Sequence, residues 1–184
     1  MYNSKHTIRF IHIKKNGGTS VYKFLRKHNV EVLYGDTTNL QTRYGQHNIS
    51  NDYINEKSWK FAVCRNPYYR TVSFFNWIKR GRNTLSTFQQ FVIDKDNTGR
   101  ASGAWNNQTD YILDKNNYCL VNKIFRFENL SQELPNFFNI DDRFPHLTRS
   151  TFDDYDDYYT PELRELVYER LKADFEYFNY ESLL

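Results

Sequence analysis

The stretch IHIKKNGGTS, Ile11 to Ser20, decides how this chain is read. A strand-like run ends in a basic pair, two glycines and two hydroxyl residues. Beyond it the pattern is helical, with Val21, Phe24, Leu25 and His28 at i, i+3, i+4 and i+7 on one face. A strand that turns through Gly17-Gly18-Thr19-Ser20 into a helix exposes backbone N–H groups at the helix N-terminus. Those groups, with the helix dipole behind them, bind phosphate or sulfate. The glycines let the backbone approach the anion without a side chain in the way. The Walker arrangement for ATP has four residues between its glycines and a lysine immediately before Ser or Thr. Here the glycines are adjacent, Lys15 precedes them, and no Ser or Thr follows that lysine directly to hold Mg²⁺. The turn shares the physics of a phosphate loop but not its metal chemistry.

A second stretch, FAVCRNPYYRTVSFF, puts Arg65 at the carboxyl end of a strand and Ser73 about two turns into the next helix. In an open parallel sheet ligands sit outside the carboxyl ends of the strands, and arginine offers a planar fork of donors to a phosphate. Two anion sites at strand ends suit a ligand phosphorylated at two places.

The rest of the chain supplies the frame. Strands are expected at Thr7 to Ile13, Trp59 to Cys64 (WKFAVC) and Lys123 to Phe127 (KIFRF), with a polar loop over 34–58. Helices are expected from Thr19, from Pro67 to Gly81, over Ser86 to Ile93, over Ser131 to Phe138, and from Pro161 onward. The last has Thr160 as its N-cap and Leu163, Leu166, Val167, Leu171 and Phe175 as its buried stripe. Residues 94–107 (DKDNTGRASGAWNN) read as a loop. Strands alternating with helices predict an α/β fold with three layers, α/β/α, around a central parallel sheet. No repeat or linker divides the 184 residues, so a single domain spanning 1–184 is expected.

Composition narrows the partners. Aromatics are 18% of residues, which supplies core material despite a mean hydropathy of -0.81. With 25 basic and 22 acidic residues the net charge is only +3, too weak an asymmetry to predict nucleic acid but compatible with a local anion site. No apolar run is long enough to span a membrane, and MYNSKHTIRF lacks the apolar core of a secretory signal. Cys64 and Cys119 form neither a disulfide framework nor a metal-ligand spacing, and a reducing cytoplasm is the simplest compartment.

The two anion motifs, in this order, resemble those of the carbohydrate-type sulfotransferases (the heparan-sulfate 2-O type among them), a P-loop NTPase-like fold. HIKKNGGTS is similar to the family's 5′-phosphosulfate loop, and RNPYYRTVS to its 3′-phosphate motif. The resemblance runs on through FRFENL, FPHLTRS and YYTPELRELVYERLKADFEYFNY, nearly the whole chain. It implies a donor, 3′-phosphoadenosine-5′-phosphosulfate (PAPS), a product, 3′,5′-ADP (PAP), an acceptor hydroxyl on a carbohydrate, and no metal. It also implies that Lys15 and the cradle Asn16, Gly17, Gly18, Thr19 and Ser20 take the 5′ end, and that Arg65 and Ser73 take the 3′-phosphate. Arg149 and Ser150 would close over the nucleotide. The chain departs from the family at Lys14, usually Pro, and at Asn16, usually Thr. It is also short for the family.

Sulfuryl transfer is an in-line displacement at sulfur, with charge building on the oxygen of the departing nucleotide. A fixed lysine stabilises that charge, and Lys15 is the expected residue. The acceptor must lose a proton, and His47, in YGQHNISNDY, occupies a setting where family members carry a catalytic histidine. An ordinary loop hydrogen bond is its plainer role. Gln108 and Asp110 match a stretch that the family keeps near the acceptor, though by itself WNNQTDYIL supports only a capped helix start. Glu128 would orient Lys15, Arg65 or the acceptor, or form a structural ion pair. The acidic run FDDYDDYY lacks the spacing and glycine of a calcium loop and reads as a solvated segment. Lys79, Arg80 and Arg82 suit an anionic glycan, or simply complement a helix dipole. Three readings stand at this point: a PAPS-dependent sulfotransferase, a P-loop-type nucleotide phosphotransferase, and a non-catalytic PAPS- or PAP-binding protein.

Overall fold

Ile8, Arg9, Phe10 and Ile11 are all buried, on both faces of the first strand, as expected of a strand inside a parallel sheet. The computed structural model describes residues 7–36, 58–81, 87–94, 103–145 and 155–182. By internal contacts the chain forms two compact units, Met1–Cys64 with Gln108–Thr148 and Arg65–Asn107 with Arg149–Leu184.

The first unit carries the sheet. Strands β1 (Ile8–His12), β2 (Val32–Asp36), β3 (Trp59–Cys64) and β4 (Lys123–Arg126) lie in the order β2-β1-β3-β4, every pair parallel. Ile8 pairs with both Val32 and Trp59, and Val63 with Phe125. Helix α1 (Gly18–Lys27) joins β1 to β2. Its Val21, Phe24 and Leu25 enter one core with Phe10, Phe61, Val63 and Phe125 of the strands. Phe10 and Phe61 stack at 4.8 Å, and Phe125 meets Phe61 edge-on at 5.7 Å. His28 is only half-buried: its Nε2 lies 2.9 Å from an Asp142 oxygen that Lys27 also reaches at 2.6 Å. That lysine bond holds the Asp142 carboxyl below its ordinary range.

The second unit is helical. Helix α2 (Pro67–Gly81) begins at the expected proline and ends at the expected glycine. Helix α3 (Phe88–Ile93) starts at Thr87, whose side chain accepts from the Gln90 amide at 3.2 Å. Helix α4 (Leu130–Phe137) belongs to the sheet unit. Helices α5 (Pro161–Arg170) and α6 (Lys172–Phe178) close the second unit. Tyr68, Val72, Phe75, Phe91, Val167, Leu171 and Phe175 form its core. Burial pushes the Tyr68 phenol up to about 12. Arg70 is fully buried, its guanidinium donating to the carbonyls of Asn106 (2.9 Å) and Gly103 (3.4 Å).

An α/β fold with a parallel sheet is what forms, with two corrections. Residues 34–36, read as loop, are the end of β2. Gly35 and Asp36 are poor strand formers, and pairing with β1 overrides that local preference. The final helix is two helices, because the backbone leaves helical geometry at Leu171. Its stripe advances in steps of four through Leu163, Val167, Leu171 and Phe175. Leu166 falls outside that stripe and is 38% exposed. Among the described residues no helix is long and apolar enough to cross a membrane.

Candidate active site

The glycine turn follows β1 directly. Lys15 adopts a left-handed backbone (φ 71°), Asn16 is buried, and Gly17 is left-handed again (φ 77°) as the N-cap of α1. The first bond of the helix runs from the Val21 amide to the Gly17 carbonyl at 3.0 Å. The amides of Gly18, Thr19 and Ser20 therefore lead off the helix end. No acidic residue occupies the first turn, so nothing there competes with an anion for the dipole. Thr19 and Lys14 are exposed, Lys15 is half-buried and Ser20 is buried.

The two glycines are required by the packing of the protein itself. A Cβ on Gly17 would lie 2.9 Å from Cε2 of Phe127, on a backbone that disfavours any side chain. A Cβ on Gly18 would lie 2.1 Å from Cδ2 and 2.3 Å from Nε2 of His12. His12, at the end of β1, thus sets the clearance of the helix start. Gly18→Ala is expected to drive the His12 ring away at a cost of about 1–3 kcal/mol. A thermal melt should show a Tm several degrees lower, and an unchanged Tm would contradict this packing.

Asn16 and Gln108, far apart in sequence, are brought together. Asn16 Nδ2 donates to the Val63 carbonyl at 2.6 Å and to Gln108 Oε1 at 2.7 Å. Gln108 is completely buried. It precedes a 3₁₀ turn, Thr109–Tyr111, in which Asp110 is half-buried. Glu128 does not end a strand: β4 stops at Arg126, and Glu128 is exposed in the 3₁₀ turn Phe127–Asn129.

In the second unit, Arg65 is the first residue after β3 and is only 6% exposed. Its Nη2 donates to the Tyr155 hydroxyl at 2.9 Å, and its guanidinium carbon lies 5.6 Å from the centre of that ring. Tyr155 in turn stacks on Tyr69 at 4.8 Å. Ser73 is half-buried on α2, eight residues beyond Arg65. Tyr155 lies in FDDYDDYY, whose acids alone carry no sign of it. The tyrosines interleaved with them, which pack onto the helical core, were the available signal. Of those acids, Asp156 pairs with Arg164 at 2.8 Å. His47, Arg149 and Ser150 lie outside the described residues, as do His146, Asp153 and Asp154. Among the described residues no three His, Cys, Asp or Glu side chains gather as a metal site requires.

Taken by itself, the sheet unit carries a glycine turn with Lys15 at a helix N-terminus, and the helical unit carries a buried guanidinium held by Tyr155. No protein-family model matches the chain, and no curated protein matches it in sequence. Among solved structures, a sulfotransferase from Alicyclobacillus acidocaldarius matches with a TM-score of 0.52, covering 96% of this chain and 97% of that one at 12% identity. At that identity the likeness concerns the fold: this chain has the α/β fold of a sulfotransferase.

Proposed function

We propose that the protein transfers a sulfuryl group from PAPS to a hydroxyl of a carbohydrate, releasing PAP. The observation that carries this reading is the turn at Lys15–Ser20, set between a buried parallel strand and a helix without first-turn acids, on a sulfotransferase fold. Its amides and Lys15 take the 5′-phosphosulfate. Arg65 and Ser73 take the 3′-phosphate, the group that distinguishes this donor from ATP, and Arg149 and Ser150 add contacts to the nucleotide.

In the reaction the acceptor oxygen bonds to sulfur while the bond from sulfur to the bridging oxygen of the nucleotide breaks in line. The electron pair of that bond stays on the departing phosphate oxygen, where the Lys15 ammonium meets it. The acceptor proton passes to His47. Asp110 and Glu128 are assigned to the acceptor side. The donor itself needs no divalent metal. Cys64 and Cys119, which are not joined in a disulfide, suit a reducing cytoplasm.

The test is the formation of PAP from PAPS with a panel of saccharides. Formation should depend on the acceptor, and His47→Ala should lower it about a hundredfold while affinity for 3′,5′-ADP stays within about twofold. Turnover in the variant within a few-fold of the wild type would remove His47 from this role. Binding of PAPS without transfer to any hydroxyl would favour the non-catalytic nucleotide-binding reading.

A further inference from the structure

Asn16 stands between two left-handed residues, one of them a lysine. A non-glycine residue in that conformation is strained, and such strain persists only where the surroundings over-determine it. Here the constraint is visible. The Asn16 side chain, 1% exposed, uses both protons of its amide on fixed acceptors: the carbonyl of Val63 in β3 and Oε1 of the fully buried Gln108. Its own Oδ1 is buried without a hydrogen-bond partner among the described residues. An unpaired buried oxygen is a cost that a smaller residue would not carry, so the amide is present for its two donors. A threonine, with one O–H and a shorter reach, cannot make both bonds.

We propose that Asn16 and Gln108 are positioning residues, a buried amide brace that ties the anion turn to the end of β3. The brace holds Lys15 in its left-handed backbone and keeps the Gly17–Ser20 amides in the geometry that receives the 5′-phosphosulfate. It rests on the functional reading above. It also gives Gln108 a place different from the acceptor contact expected from sequence, since its side-chain oxygen already faces the turn.

The variants are Gln108→Met, which keeps the volume and removes the acceptor, Asn16→Ala, and the double variant. Calorimetric titration with 3′,5′-ADP, 3′-AMP and 5′-AMP separates two quantities. The affinity gained from the 5′-phosphate is the ratio of the 3′-AMP and 3′,5′-ADP dissociation constants. The gain from the 3′-phosphate is the corresponding ratio for 5′-AMP. Each single variant should reduce the 5′ gain about tenfold, the scale of coupling within one hydrogen-bond network, and leave the 3′ gain within about twofold. The double variant should be little worse than either single one. Equal loss of both gains, in proportion to a fall in Tm, would reduce the pair to general stability, and no loss of the 5′ gain would overturn the proposal.

A second readout is independent of the nucleotide. In Gln108→Met the amides of Asn16 and Val21, bonded to the Ile13 and Gly17 carbonyls, should exchange with solvent about tenfold faster. Unchanged exchange rules out the brace. Faster exchange in a protein that ignores 3′,5′-ADP keeps the brace and removes the sulfotransferase reading.

Discussion

Lys15→Ala is expected to lower kcat/KM for sulfuryl transfer by about 10³-fold or more, the scale on which a single cation at a transferring group acts in phosphoryl transfer. The donor arrives with its charge on the outer oxygens, and the bridging oxygen becomes anionic only as the bond to sulfur breaks. An ammonium at that oxygen therefore stabilises the transition state more than the bound donor, so the loss should fall mainly on kcat. The left-handed backbone of Lys15 (φ 71°) supplies a control. Lys15→Gly removes the same ammonium and also relieves the backbone, so it should be as inactive as the alanine variant. It should also be more stable than the alanine variant, by up to about 1–2 kcal/mol, the cost of holding a non-glycine residue in the left-handed region. Equal stability and full activity in either variant would show that the lysine is a surface residue.

Arg65→Ala is expected to weaken 3′,5′-ADP by about 2–5 kcal/mol, or roughly 30- to 4,000-fold, the cost of removing one partner of a buried charge pair. Affinity for 5′-AMP should scarcely change, because that nucleotide lacks the phosphate in question. The size of the effect follows from pre-organisation. The guanidinium is buried, already bonded through Nη2 to Tyr155, and Tyr155 is itself stacked on Tyr69. Little conformational freedom is left to lose on binding. Arg65→Lys keeps the charge but not the planar fork, and should recover only part of the affinity. Loss of 5′-AMP binding in step with 3′,5′-ADP would mean that Arg65 supports the strand end rather than the 3′-phosphate.

The elements legible in the sequence were those fixed by neighbouring residues. Pro67 and Gly81 bracket α2, Thr160 accepts from the Leu163 amide to start α5, and WKFAVC is β3 from end to end. The strand–turn–helix around Gly17 was legible for the same reason. Features that depend on distant partners were not. β2 is a strand because β1 lies beside it, and Leu33 on this strand, at the edge of the sheet among the described residues, remains 46% exposed. Asn16 and Gln108 are 92 residues apart, and Arg65 and Tyr155 are 90 apart. Nothing local marks either pair: the family resemblance suggests an acceptor role for Gln108, and nothing in the sequence suggests a role for Tyr155. The glycines show the same division. Their presence suggested an anion, while their dependence on Phe127 and His12 emerged only from packing.

The proposed function stands on the binding of a nucleotide phosphorylated at the 3′ position. Calorimetric titration of the wild type with 3′,5′-ADP, ADP and ATP, without added metal and with Arg65→Ala alongside, tests it most directly. 3′,5′-ADP is expected to bind at least about thirtyfold more tightly than ADP or ATP, a margin of about 2 kcal/mol, and Arg65→Ala is expected to erase the margin. Equal binding of the three nucleotides, or ATP binding that appears only with Mg²⁺, would contradict it and return the chain to the phosphotransferase reading.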